Sequence, residues 1–241
     1  MVDTIERNLQ ETFNWFENTD LMSYSISIND LLSDSRREDH LVWMMNYCGS
    51  PTKGHAASIT VKRIGYLAAI CIYAKHVHKV EASFLDGMMH TPGDNSKSSG
   101  WAPQYSFPYI TPTEEKDLAT WIAEDLYAKH LVPIVSLLSK EKGISRVTLL
   151  ENVFTYMKWV LTIQIGDQGL YQQLLVLPTS NFGKLTRHPI AQFDCEVDDL
   201  RKTCCLYYQT DGVSNQCNKC PLIKTVRETI LFNWFFINSL S

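Results

Sequence analysis

Ile5, Leu9, Phe13 and Phe16 recur at intervals of four, four and three, which makes one apolar stripe of an amphipathic helix over residues 1–18. Tyr24, Ile26 and Ile28 alternate with polar residues and suggest a short strand. Asp39 is placed to cap a helix from His40 to Tyr47 that Gly49 and Pro51 end. Residues 55–78 predict a long helix, apolar nearly all round in its second half, a pattern that belongs at the centre of a bundle. Residues 80–89 and 101–110 are rich in aromatic and branched side chains. The polar, glycine-bearing stretch 91–100 between them predicts a hairpin with a surface loop at its tip.

Thr111-Pro112-Thr113-Glu114 has the form of a helix start: a threonine to cap, a proline for the first turn and a glutamate to close the capping box. Leu118, Trp121, Ile122 and Leu126 then share one face, and Pro133 predicts a kink or break, with a second piece running to Lys142 and stopping at Gly143. Leu149, Val153, Tyr156, Val160 and Ile163 give residues 144–165 one apolar side, and residues 168–177 form a further short helix before Pro178. Residues 179–196 lose the pattern and read as a linker, and residues 226–240 are apolar enough to pack back on the body. The expected fold is mainly α, of the α+β class. A helical body over residues 1–190 carries one small β-hairpin or sheet, and a cysteine-rich segment over residues 191–241 follows. A single compact unit is expected, with two semi-independent parts meeting near residue 190 as the alternative.

Composition narrows the function. The chain has 241 residues, 45% of them apolar, enough for a sizeable core. A formal charge of −4 gives no support to a nucleic-acid binder. The charged start Met1-Val2-Asp3-Thr4-Ile5-Glu6-Arg7 does not look like a secretory signal. The longest apolar run, from Ile64 to Ala74, is short against the roughly 20 residues of a membrane span. A cytoplasmic protein without a transmembrane segment is expected, with peripheral attachment at the inner face of the cell membrane left open.

In a reducing compartment, clustered cysteines point to metal sooner than to disulfides. Of the seven cysteines, Cys204, Cys205, Cys217 and Cys220 fall close together. Cys71 reads as a buried small hydrophobe, and Cys195 is the one credible substitute ligand. Four thiolates suit zinc or an iron–sulfur cluster. Cys217-Asn218-Lys219-Cys220 is an ordinary two-ligand clip, but the adjacent pair is unusual. Neighbouring side chains in extended backbone point to opposite faces, so Cys204 and Cys205 converge on one metal only if the chain bends there. That argues mildly against an ordinary zinc site.

The run Arg201-Lys202-Thr203-Cys204-Cys205-Leu206-Tyr207-Tyr208, ending in Cys217-Asn218-Lys219-Cys220-Pro221-Leu222, resembles the C-terminal signature of the FhuF-like ferric-siderophore reductases. Weaker echoes are Ala57-Ser58-Ile59-Thr60-Val61-Lys62-Arg63-Ile64-Gly65-Tyr66 and Glu151-Asn152-Val153-Phe154-Thr155-Tyr156. The family spacing between the cysteine pairs is usually ten residues and here it is eleven, a difference a loop absorbs at little cost. The resemblance implies that Cys204, Cys205, Cys217 and Cys220 hold a [2Fe–2S] cluster. It also implies that the protein delivers one electron to a ferric siderophore and so releases Fe²⁺.

Such chemistry needs no acid, base or nucleophile, so no catalytic side chain is assigned. None of the glycines builds Gly-x-Gly-x-x-Gly, so the electron source is expected to be a ferredoxin or flavoprotein rather than NAD(P)H directly. Arg201, Lys202, Lys219, Lys224 and Arg227 surround the cysteines, where positive charge favours a reduced cluster. Lys62 and Arg63 are the candidate substrate-binding cations, for a hydroxamate or citrate-hydroxamate complex. His76 and His78 end the long helix beside lysines and carry no assigned role. The competing readings are a zinc-stapled binding module and an iron–sulfur sensor.

Overall fold

One long helix sets the architecture. Helix α3 (Lys53–Tyr73) starts where the Thr52 side chain accepts the His55 N–H, and a π-helical turn, Ala74–His78, extends it. From Gly54 to Val61, and again from Leu67 to Tyr73, its side chains are buried all round, because neighbours cover every face. The computed structural model describes residues 2–13, 15, 22–92, 101–108, 110–113, 116–194, 200–213 and 215–223. Helix α1 is Val2–Thr12 and helix α2 is Asp34–Cys48. Helices α4 (Leu118–Thr120) and α5 (Val132–Leu138) are joined by a π-helical stretch, Trp121–Leu131. Helix α6 (Arg146–Trp159) continues as the π-helical Val160–Ile165, and α7 is Gln168–Val176.

Helices α3 and α6 pack at close range because Gly65 has no side chain. A Cβ there would stand 3.1 Å from Val153 Cα and 3.2 Å from the Asn152 carbonyl oxygen. The helix of residues 53–78 is long and apolar enough to cross a membrane, yet 78% of its apolar window is buried inside the protein. It is the core helix of this fold.

The β structure is small and antiparallel. Strands β1 (Met22–Ser27), β3 (Met88–Pro92) and β4 (Gln104–Ser106) form a sheet in the order β1-β3-β4. Strands β2 (Val80–Ala82) and β5 (Ile110–Pro112) form a separate pair. The expected hairpin is therefore split in two, with β3 and β4 pairing inside the β2–β5 pair. The stretch 93–100 that was to be its tip lies outside the described residues.

Three boundaries differ from the sequence reading. Helix α2 starts at Asp34 after Ser33, not after Asp39, and ends at Gly49, whose left-handed φ of 60° suits glycine. Thr111 and Pro112 lie in β5, and the helix they were expected to begin starts at Leu118, capped by the Asp117 side chain accepting the Thr120 N–H. Pro133 does not break its helix. The i→i+5 pattern of residues 121–131 changes the hydrogen-bond register just ahead of the proline, and the α-helix resumes there. It ends at Leu138, short of the expected Lys142.

Candidate iron–sulfur site and adjoining cleft

The cysteine segment has little regular structure of its own among the described residues, and several of its backbone polar groups are satisfied by α3 and α6. Glu151 on α6 accepts the backbone N–H of Lys202 at 2.7 Å and of Thr203 at 2.8 Å, and it also accepts the Thr203 hydroxyl. Arg201 donates to Asn152 Oδ1 at 2.6 Å and lies 3.7 Å from Glu151, with both charged side chains buried. Asn152 in turn donates to the carbonyl oxygen and hydroxyl of Ser58 on α3. Ser58 donates to the Cys205 carbonyl oxygen at 2.8 Å, and the His55 ring is 3.0 Å from that of Leu206. On the far side, the Asp211 N–H closes on the Cys48 carbonyl oxygen at the end of α2. The two short stretches that carried the weaker echoes thus supply the bed on which the cysteines lie.

Within the segment, the Arg201 N–H donates to the Lys219 carbonyl oxygen, which sets the adjacent pair beside the Cys-x-x-Cys clip. The thiols then meet in two couples. Cys204 Sγ and Cys220 Sγ are 3.7 Å apart, and Cys205 and Cys217 interact with each other. Cys205 and Cys220 are buried, and Cys217 is exposed. The Cys205 thiol is pushed down to about 5, first by the proton Cys217 donates to it and then, against its burial, by the Lys62 and Arg201 charges. Cys217, which keeps that proton, is pushed up, and burial pushes Cys204 up to about 11. Backbone N–H groups point at the sulfurs: Leu206 at Cys204, Tyr207 at Cys205 and Lys219 at Cys217.

This donor set fits a two-iron cluster. Among the described residues no three His, Cys, Asp or Glu side chains are placed to hold one metal ion. Two couples of thiols, one for each iron, are what a [2Fe–2S] cluster requires. A family model, the FhuF 2Fe-2S C-terminal domain, matches residues 201–222. Over those residues the segment is similar to a FhuF-type 2Fe–2S domain. No curated protein and no solved structure matched the chain. The match supports a [2Fe–2S] cluster as the cofactor.

A cleft of about 580 Å³ opens beside Cys217. Phe154, Tyr156, Trp159 and Phe193 form its apolar wall, and Tyr66 stacks on Trp159 at 5.7 Å. Lys62, Lys158, Arg201 and Lys219 line it as well, against one carboxylate, Glu151, among the described lining residues. Lys158 is paired with Asp194 at 2.7 Å. Lys62 lies 4.2 Å over the Tyr207 ring, and burial lowers its pKa.

The structure separates the two cations read from the sequence. Lys62 lines the cleft, whereas Arg63 does not; its guanidinium sits near Tyr105, Tyr156 and Tyr207, and its Nε has no hydrogen-bond partner. Cys48 and Cys71 are buried with raised pKa values, the reading given for Cys71. His78 is 2.9 Å from Asn8, and His76 is 3.4 Å from Asp167. Cys195, Lys224, Arg227 and the apolar tail 226–240 lie outside the described residues. Sequence reasoning missed the roles of Glu151, Asn152 and Ser58. A buried acid beside a buried amide on an otherwise apolar helix face was the available signal.

Proposed function

We propose that this protein is a cytoplasmic ferric-siderophore reductase whose cluster is held by Cys204, Cys205, Cys217 and Cys220. The observation that carries the reading is the cationic, aromatic-walled cleft that opens at Cys217. The cluster supplies one electron per turnover. The rest of the task falls to the chain: to bring an Fe³⁺ complex close to a cysteine sulfur and to let the reduced complex go.

The cleft suits that task chemically. A ferric hydroxamate or citrate-hydroxamate combines an apolar skeleton with hard oxygen donors, and the citrate-based complexes carry negative charge. Phe154, Trp159 and Phe193 cover the skeleton, and Lys62 attracts and orients the anion. Arg63, just behind, adds to the positive field. Fe²⁺ binds hard oxygens less strongly than Fe³⁺, so the iron leaves after reduction without cleavage of the siderophore. No acid or base is required of the side chains. A ferredoxin or flavoprotein is the proposed donor, and peripheral attachment at the inner membrane face accords with this role.

A gallium siderophore isolates the docking step, since Ga³⁺ has the charge of Fe³⁺ and is not reduced. Titration into the protein, followed by Trp159 fluorescence, is expected to show saturable quenching that weakens with salt and in Lys62→Met. Equal affinity in wild type and variant at every ionic strength would contradict docking in this cleft.

A further inference from the structure

Cys204-Cys205 and Cys217-x-x-Cys220 each look like one unit, which would put the adjacent pair on one iron and the clip on the other. The geometry points to the opposite arrangement: Cys204 and Cys220 share one iron, and Cys205 and Cys217 share the other. This assignment rests on these four cysteines being the ligands.

Three observations carry it. With metal–sulfur bonds of about 2.3 Å and tetrahedral angles, two thiolates on one metal stand roughly 3.8 Å apart. Cys204 Sγ and Cys220 Sγ are already 3.7 Å apart. Cys205 and Cys217 are the two thiols that remain, and they interact with each other, so they make the second couple. The backbone turns directly after the adjacent pair. Leu206 takes a left-handed conformation, φ 61° and ψ 5°, and its N–H turns back to Cys204 Sγ at 3.4 Å. Adjacent side chains that point to opposite sides need not be forced together. The obstacle to a vicinal pair on one metal therefore does not arise.

Crosswise ligation has two consequences for the chain. Each iron would draw one ligand from each half of the motif, so a bound cluster would close the loop of residues 206–216 twice over. The two irons also become inequivalent. Cys217 lines the cleft together with Lys62 and Arg201, and Cys204 and Cys220 do not, so the Cys205–Cys217 couple is the one on the substrate side.

Mössbauer spectra of oxidised, ⁵⁷Fe-loaded double variants read the pairing directly, because a serine oxygen is a harder ligand than sulfur and shifts the iron it binds. Crosswise ligation predicts that C205S/C217S keeps one iron doublet as in wild type and shifts the other, while C204S/C205S shifts both. The reverse pattern overturns the assignment. If the double variants lose the cluster, a crystal structure of the loaded wild-type protein decides. Cys204 and Cys220 on one iron upholds the proposal, and any other pairing overturns it. Neither readout involves a siderophore, so this pairing and the reductase reading stand or fall separately.

Discussion

The Ser58 hydroxyl donates to the Cys205 carbonyl oxygen at 2.8 Å, a bond buried between the core helix and the cysteine segment. It joins residues far apart in sequence and ends a relay that runs from Arg201 through Asn152 to Ser58. Breaking it strands buried polar groups, which costs about 1–3 kcal/mol each. Ser58→Ala and Asn152→Ala are each expected to lower stability by that amount in urea unfolding of the loaded protein. A change under ~0.5 kcal/mol in both would mean that the relay does not hold the segment.

Glu151 holds the approach to the cysteines by accepting two backbone N–H groups and a hydroxyl. Glu151→Gln removes the charge that strengthens those bonds and leaves Arg201 without its buried counterion. Iron loss to a chelator is expected to speed up about tenfold, matching ~1.4 kcal/mol of lost anchoring, with the helical circular dichroism unchanged. An unaltered chelation rate would show that the segment is held elsewhere.

Among the described residues from 191 onward few apolar side chains are buried, and ligation is expected to supply much of the order there. Hydrogen exchange with and without the cluster tests this. Loss of protection is expected in residues 200–213 and 215–223 before α3 and α6. Uniform loss across the chain would contradict a stapling role.

Much of the helical body was legible: the helix at 53–78 shows as a long, nearly continuous apolar stretch, and that at 146–165 as an apolar stripe. The start at Leu118 was missed because Thr111 and Pro112 mimic a cap while pairing with β2, a tertiary contact that local sequence does not encode. In the site, the cysteines and Lys62 were visible as chemistry. The contact of Cys204 with Cys220 was not, since it is tertiary and the left-handed turn at Leu206 beside the pair is marked by no glycine. The aromatic wall reads in sequence as core, because Phe154, Trp159 and Phe193 become a cleft only once α6 meets the segment after residue 190.

Lys62 sits near Cys205, and its positive charge favours the more negative, reduced cluster. Lys62→Met is expected to lower the reduction potential by about 60 mV, equivalent to ~1.4 kcal/mol for one electron. Redox titration followed in the visible measures it. An equal or higher potential in the variant would place the Lys62 charge too far away to matter.

His40 provides a pH signature away from the cluster. Thr60 donates to the Ala56 carbonyl oxygen, so it accepts from His40 Nε2, and Tyr24 donates to Nδ1; the ring is held neutral. Burial pushes its pKa down to about 3. The unfolded chain takes up that proton near pH 6.5 and the folded protein only near 3, so stability is full above pH 6.5 and falls as pH drops toward 3. The total loss from this group is roughly 5 kcal/mol. His40→Gln is expected to flatten the slope between pH 6.5 and 4 in urea unfolding; an unchanged slope would assign it to other groups.

The most direct test of the reductase account is a single turnover under anaerobic conditions. Protein reduced with dithionite and freed of excess reductant is mixed with a ferric hydroxamate siderophore, with a ferrous chelator present and the visible spectrum followed in time. The account predicts that the oxidised [2Fe–2S] spectrum returns while one Fe²⁺ per cluster appears on the chelator. A reduced spectrum that persists beside intact ferric siderophore would contradict it.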